Sequence, residues 1–151
     1  MAPGHPGGPD ADHEVLASLH RHRVPASADL LPVLRDELEQ WARSAGLSDR
    51  VADSLALASY EAMANAVEHA YDGRTGLLDV EAALQGAGVQ VTVTDQGSWR
   101  TPEENAAERR RGLLLIHRLA DEAVVTSGED GTRVLMRWDV PISDDGEPLP
   151  G

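Results

Sequence analysis

Alternating hydrophobic and polar positions predict five strands along the chain. A period of two is typical of a strand that packs one face on a core. It recurs in five segments, residues 14–24, 78–84, 89–95, 122–127 and 132–140. The short connection from Gln85 to Gly88 predicts that the second and third strands form a hairpin.

Three other segments have the spacing of amphipathic helices. They are residues 28–45, 48–70 and 112–120. Pro32 is tolerated near a helix start, and Gly46 is a typical residue just after a helix end. Ser48 is a good N-cap for the second helix. Residues 98–111 are polar and predict a long loop, of the kind that usually serves as a lid or is disordered.

The order β-α-α-β-β-α-β-β predicts an α+β fold, a two-layer α/β sandwich with a mixed, mostly antiparallel sheet. The folded domain is expected over residues 14–140. Residues 1–13 are rich in Gly, Pro, Ala and Asp, and residues 141–151 are acidic with prolines, so both are expected to be disordered tails.

Composition then narrows the function. The chain has 151 residues, a net charge of −13 and no cysteine. The negative charge argues against direct binding of nucleic acid, which needs a cationic surface. All 13 cationic residues are arginine, so a Walker A lysine and the strand lysine of ordinary protein kinases are both excluded. No segment is typical of a membrane span or a signal peptide, so we expect a cytoplasmic location without membrane contact.

Strand parity places two polar side chains on the core side of the sheet. Asp95 shares a face with Val91 and Val93, because alternate residues of a strand point the same way. Thr132 likewise shares a face with Val134. A buried carboxylate is costly unless it accepts hydrogen bonds, so Asp95 is a candidate binding residue.

Glu61 and Asn65 lie one turn apart on the second helix, at the border of its buried stripe. An amide oxygen beside a carboxylate can ligate a hard cation, and the carboxylate can accept a proton from a hydroxyl. By themselves, Glu61 and Asn65 are also typical of an ordinary solvated helix flank. The ordered set of Glu61, Asn65, Asp95 and three glycines favours a nucleotide–Mg²⁺ site.

The three glycines are Gly97, Gly112 and Gly131, each predicted at the end of a regular element, where glycine lets a ligand approach the backbone. Gly112 is predicted to open a helix whose free N–H groups would favour phosphate. Arg111 precedes it and suits an anionic ligand.

Two histidines, His20 and His22, share a face of the first strand. Two imidazoles without a third ligand make a weak metal site, so the sequence alone does not predict one.

The chain resembles the histidine-kinase-like (GHKL) ATPases with the Bergerat ATP-binding fold, and within them the anti-sigma factors that are serine-protein kinases. The segment from Glu61 to Tyr71 matches the N box of the family. Asp95-Gln-Gly97 matches half of its first glycine box, Arg111-Gly112 opens a match to the second, and Gly131-Thr132 matches the last motif. The resemblance covers roughly residues 14–140.

The resemblance implies a role for each matching residue. Asn65 would ligate Mg²⁺ at the ATP phosphates, and Glu61 would be the general base that activates a serine hydroxyl. Asp95 would accept a hydrogen bond from the adenine amino group. Gly97 would give room for the base, and Thr132 would support it through water. Arg111 and Gly112 would border the phosphates.

The resemblance also implies a function and partners. The expected function is an anti-sigma factor that phosphorylates a small anti-sigma-factor antagonist, binds a sigma factor, and forms a homodimer as its relatives often do. The chain departs from the family at Trp99, where the first glycine box usually continues to a second glycine. That departure leaves room for an alternative, a regulatory module that binds ATP or a sigma factor without kinase activity, whereas Glu61 argues for the enzyme. A detached sensor-kinase domain is disfavoured, because no dimerisation helix with an acceptor histidine precedes the domain.

Overall fold

The computed structural model describes residues 17–70, 76–97, 103–128 and 130–140. The tails expected at residues 1–13 and 141–151 lie outside the described residues, and so does Trp99.

The elements follow the predicted order. The strands are β1 (Ala17–Pro25), β2 (Leu77–Gln85), β3 (Gly88–Asp95), β4 (Glu122–Gly128) and β5 (Gly131–Asp139). The helices are α1 (Leu31–Ser44), α2 (Asp49–Asn65) and α3 (Glu103–Leu119), and a π-helical turn over Ala66–Ala70 continues α2.

The five strands form one open sheet in the order β1-β2-β3-β5-β4, and each neighbouring pair is antiparallel. The helices form the second layer, with α2 between α1 and α3 and in contact with β3 and β5. The predicted α+β sandwich is confirmed. The described strands are antiparallel throughout rather than mixed. Short hairpins join β2 to β3 and β4 to β5, whereas two helices separate β1 from β2 along the chain.

The core lies between the two layers and alternates along each strand as predicted. In β3, for example, Val89, Val91 and Val93 are at most 2% exposed, whereas the intervening residues are partly exposed. Leu38, Leu55 and Ile116 bring the three helices onto this surface, each at most 1% exposed. Burying one such side chain contributes about 1.5–3 kcal/mol, so the apolar face of each helix fixes its place on the sheet.

Local signals fix the ends of α1 and α2. Gly46 has a φ of +91°, the left-handed conformation that commonly ends a helix. Ser48 is the N-cap of α2, and its hydroxyl accepts a hydrogen bond from the Val51 N–H at 3.2 Å. Both positions were predicted from the sequence.

The prediction for α3 is wrong at its start. The helix begins at Glu103 rather than at Gly112, so residues 103–111 are helical and not part of a loop. The apolar stripe used for the prediction begins only near Gly112. The preceding segment consists mainly of Glu, Ala and Arg, which are strong helix formers and need no apolar stripe to extend a helix.

Across the described parts of the chain, the helices are all too short or too polar to cross a membrane.

Candidate functional site

The second half of α2 carries the first pair of candidate residues. Asn65 is 5% exposed, and its amide Nδ2 has no hydrogen-bond partner among the described residues. A buried donor without a partner costs about 1–3 kcal/mol. Asn65 is therefore a buried polar group that the described part of the chain does not satisfy, which is a reason to expect a ligand there.

The backbone of α3 passes directly over this amide at Gly112. A β-carbon added to Gly112 would lie 3.0 Å from both Nδ2 and Oδ1 of Asn65. Glycine at this position therefore allows two helices to approach closely at the candidate site. The prediction that Gly112 offers a free helix N-terminus to a phosphate is wrong, because nine residues of α3 precede it.

Glu61 lies one turn before Asn65 and has a perturbed acidity. Burial raises the pKa of its carboxyl above the ordinary value, and the nearby carboxylate of Glu68 raises it further. A carboxylate whose pKa is raised toward the working pH is a stronger base than an ordinary surface glutamate. Its chemistry is that of a proton acceptor beside the Asn65 amide.

Asp95 and Thr132 form the second pair, and they are direct register partners on β3 and β5. They are 3% and 2% exposed and face the helical layer, as strand parity predicts. The Gly97 N–H donates a hydrogen bond to Asp95 Oδ1 at 3.0 Å. The hydroxyls of Thr132 and Ser127 lie 3.2 Å apart and share a hydrogen bond. These contacts fix both side chains at the end of the sheet.

A cleft of about 360 Å³ opens at this end of the sheet. Its lining includes Asp95, Thr132, Ser127 and the β4–β5 turn at Gly131, whose backbone passes close to the end of β3. Gly131 has a φ of +138°, and a β-carbon there would overlap the Asp95 carbonyl oxygen. Only glycine lets the turn approach β3 so closely.

The structure thus groups the predicted residues into two sets. Asp95 and Thr132 lie together at the cleft, with Gly97 hydrogen-bonded to Asp95. Asn65 lies against Gly112, one helical turn from Glu61. The cleft lining includes neither Glu61 nor Asn65.

Arg111 belongs to neither set. It lines a separate groove on α3 with Leu113, Leu114 and His117. The structure therefore does not bring its guanidinium to the cleft.

Ser127 is a cleft residue that was not predicted from the sequence. The parity of β4 alone is a weak guide to it, because the turn between Gly128 and Gly131 must close before Ser127 faces Thr132. The two glycines flanking a polar turn were the available signal for a tight hairpin.

The sequence profile of the family described as "Histidine kinase-like ATPase domain" matches residues 24–138. Serine-protein kinase RsbW of Bacillus mycoides is 25% identical over 145 residues, which cover 84% of this chain and 90% of that protein. The protein of the same name from Bacillus cereus matches to the same extent.

Two solved structures are similar to this chain. The structure of the RsbU and RsbW domains of Rv1364c from Mycobacterium tuberculosis is similar, with a TM-score of 0.66 and 28% identity, over 81% of this chain and 32% of that chain. The blue-light activated histidine kinase EL346 of Erythrobacter litoralis has a TM-score of 0.51 and 27% identity, over 62% of this chain and 31% of its own. This chain spans about a third of each of those longer chains.

Proposed function

Because this chain belongs to the histidine kinase-like ATPase family, we propose that it binds ATP with Mg²⁺ and acts as a serine/threonine-protein kinase. The observation that carries the proposal is the buried Asn65 amide beside Gly112, whose Nδ2 has no partner among the described residues. It supplies an oxygen ligand of the type that Mg²⁺ prefers, and its N–H groups need an acceptor.

The two sets of residues fit the two ends of this cofactor. Asp95 is a buried carboxylate at an open cleft and would accept a hydrogen bond from the amino group of adenine. Thr132 would support the same base through water. Asn65 would hold Mg²⁺, and the bound cofactor would supply the phosphoryl group for transfer.

Glu61 would act as the general base. Its carboxylate would take the proton of a serine hydroxyl on the partner protein, which makes the oxygen a stronger nucleophile. The elevated pKa of Glu61 supports this role.

Gly112 would border the phosphates, and we propose that α3 shifts away from Asn65 to admit them, because its backbone now covers the amide. Arg111, at the preceding position of α3, would move with it.

The similarity to the serine-protein kinases named RsbW supports a regulatory partner. We infer that the partners are a sigma factor, which this chain binds as an anti-sigma factor, and a small antagonist protein that carries the phosphorylated serine. A homodimer and a cytoplasmic location belong to the same proposal. The acidic charge of −13 fits protein partners better than nucleic acid.

One observation favours a second candidate function. The cleft does not reach Glu61 or Asn65, and α3 packs against the Asn65 amide. A chain in which α3 stays in this position would bind a sigma factor without transferring phosphate.

Calorimetric titration of the full chain with ATP and Mg²⁺ tests the site. We expect binding in the wild type and at least about tenfold weaker binding in Asn65→Ala and in Asp95→Asn, since each removes one hydrogen-bonding or ligating group worth about 1.5–3 kcal/mol. Asp53→Asn is the matched control, because Asp53 is an exposed carboxylate on α2 that pairs with Arg43. The absence of a binding heat with the wild type, or an equal affinity in all four proteins, would contradict the proposed nucleotide site.

Incubation with ATP and a candidate antagonist protein distinguishes the two functions. Addition of one phosphoryl group to a serine, detected by mass spectrometry, supports the kinase. Nucleotide binding without transfer to any antagonist, together with stable binding of a sigma factor, supports the second candidate.

A further inference from the structure

The outer face of the sheet carries a cluster of metal-ligating side chains that the ATP site does not use. His20 and His22 on β1 meet Glu81 on β2, and one ligand atom from each lies within 4.8 Å of the others. We propose that this cluster binds a divalent transition-metal ion, with Zn²⁺ as the natural probe. The third ligand, which the sequence did not reveal, comes from the register of the sheet, because His20 and Glu81 are cross-strand partners.

A bulge in β1 brings the ligands together. Arg21 pairs with Val80 and Val24 pairs with Leu78, so His22 and Arg23 together face a single residue of β2. This two-against-one arrangement bends the strand and re-aims its side chains. In a regular strand, the Cα atoms of residues two apart are separated by about 6.8 Å along the strand. The two imidazole centroids lie only 5.5 Å apart, with their planes at 19°.

Asp79 is placed to orient His22 once a metal is bound, as outer-shell carboxylates of metal-binding histidines do. The Arg23 N–H, on the bulge at a φ of +55°, donates a hydrogen bond to Asp79 Oδ1 at 2.8 Å. The same oxygen lies 3.5 Å from Nδ1 of His22. A carboxylate on one imidazole nitrogen orients the ring and leaves the other nitrogen for a metal.

The contact between His20 and Glu81 in the cluster is too long for a hydrogen bond. His20 Nδ1 lies 3.9 Å from Glu81 Oε1, whereas good hydrogen bonds of this type are near 2.9 Å. Four-coordinate Zn²⁺ would hold its ligand atoms about 3.3 Å apart. The side chains of His20, His22 and Glu81 are about half exposed, so small rotations can bring the ligands to that spacing.

The ligand set selects the kind of ion. Two imidazoles with one carboxylate suit Zn²⁺ and related first-row ions, whereas Mg²⁺ prefers oxygen ligands alone. Three protein ligands leave a fourth position open to water or to another donor. The net charge of −13 favours any cation at the surface. The bound ion would tie the edge strand β1 to β2 through their side chains.

Calorimetric titration of the full, untagged, metal-free chain with Zn²⁺ tests the site, without nucleotide. We expect one ion per chain at the cluster, and at least about tenfold weaker binding in His20→Ala, His22→Ala and Glu81→Gln. Asp79→Asn is expected to weaken binding by about 10–100-fold, as other outer-shell carboxylates do. Titration with Co²⁺ gives a second readout, since its absorption spectrum reports a tetrahedral site.

His117→Ala is the matched control, because His117 is an exposed histidine on the opposite layer. Its Zn²⁺ affinity is expected to equal that of the wild type. Thermal unfolding of each metal-free variant checks that the exposed substitutions leave the fold intact. Zn²⁺ binding that is absent in the wild type, or that is equally strong in His20→Ala and His22→Ala, would overturn the proposal and assign any bound ion to other groups.

Discussion

Gly112 of α3 lies so close to Asn65 of α2 that a single added methyl group would press on both polar atoms of the amide, at 3.0 Å from each. The contact joins two motifs that are 47 positions apart in the sequence. It places a residue with no side chain against the amide proposed to hold Mg²⁺. Any change at Gly112 is therefore a change at the candidate phosphate end of the site.

Gly112→Ala tests this contact. Alanine within a helix is more favourable than glycine by about 1 kcal/mol, but the added methyl must displace Asn65, and overpacking costs about 1–3 kcal/mol. We expect a net loss of stability of about 1 kcal/mol and at least tenfold weaker ATP binding. Urea denaturation and calorimetry measure the two effects.

The double variant Gly112→Ala with Asn65→Ala isolates the contact, because the shortened side chain makes room for the methyl group. In that background Gly112→Ala is expected to become stabilising, through its helix propensity. If Gly112→Ala destabilises both backgrounds equally, the methyl group does not act through Asn65.

Gly131→Ala is expected to be the more damaging glycine substitution. The φ of +138° is unfavourable for alanine, and its β-carbon would overlap the Asp95 carbonyl oxygen. Either strain or a shift of the turn away from β3 must follow, so we expect a loss of at least about 3 kcal/mol in urea denaturation.

Gly128→Ala, at the other end of the same turn, provides the comparison. Its β-carbon would meet no atom within 4 Å, so its effect is expected within about 0.5 kcal/mol. Equal losses in the two variants would mean that the close approach of Gly131 to Asp95 does not limit stability.

Most of the fold follows from local sequence rules, and so does the placement of the two polar residues that face inward from the sheet. The inward positions of Asp95 and Thr132 were predictable, because the side-chain period of a strand is two and valines mark the buried face. The start of α3 was not, since good helix formers extend a helix without leaving an apolar stripe. The pairing of His20 with Glu81 needs the register of β1 on β2, which is a tertiary property. The bulge at Arg23 adds a further shift that no periodicity reveals.

The acidity of Glu61 predicts a pH-dependent cost to stability. Because burial raises its folded-state pKa, the folded protein binds this proton more tightly than the unfolded chain does. The free energy of unfolding therefore falls as pH rises from the ordinary value of 4.5 to the raised value, and the cost remains at higher pH. We expect Glu61→Gln to raise the melting temperature at pH 7, with a difference from the wild type that vanishes below pH 4.5. A difference that is the same at all pH values would contradict this origin.

The same carboxyl group separates binding from catalysis. Glu61→Gln keeps the size of the side chain but cannot accept a proton, so phosphoryl transfer to the antagonist should fall by about 10²–10⁴-fold. Affinity for ATP with Mg²⁺ should change little, because Glu61 is assigned no contact with the cofactor. In the wild type the transfer rate should rise with pH through the raised pKa of Glu61.

Glu68→Gln then tests which charge sets that pH profile. It removes the carboxylate that helps to raise the pKa of Glu61, so the rising limb of the rate should move to lower pH. Glu122→Gln, which changes an exposed carboxylate on β4 near Arg137, should leave the profile in place. If the profile moves equally in both variants, net charge rather than the Glu61–Glu68 pair controls it. If Glu61→Gln transfers phosphate at the wild-type rate, Glu61 is not the base.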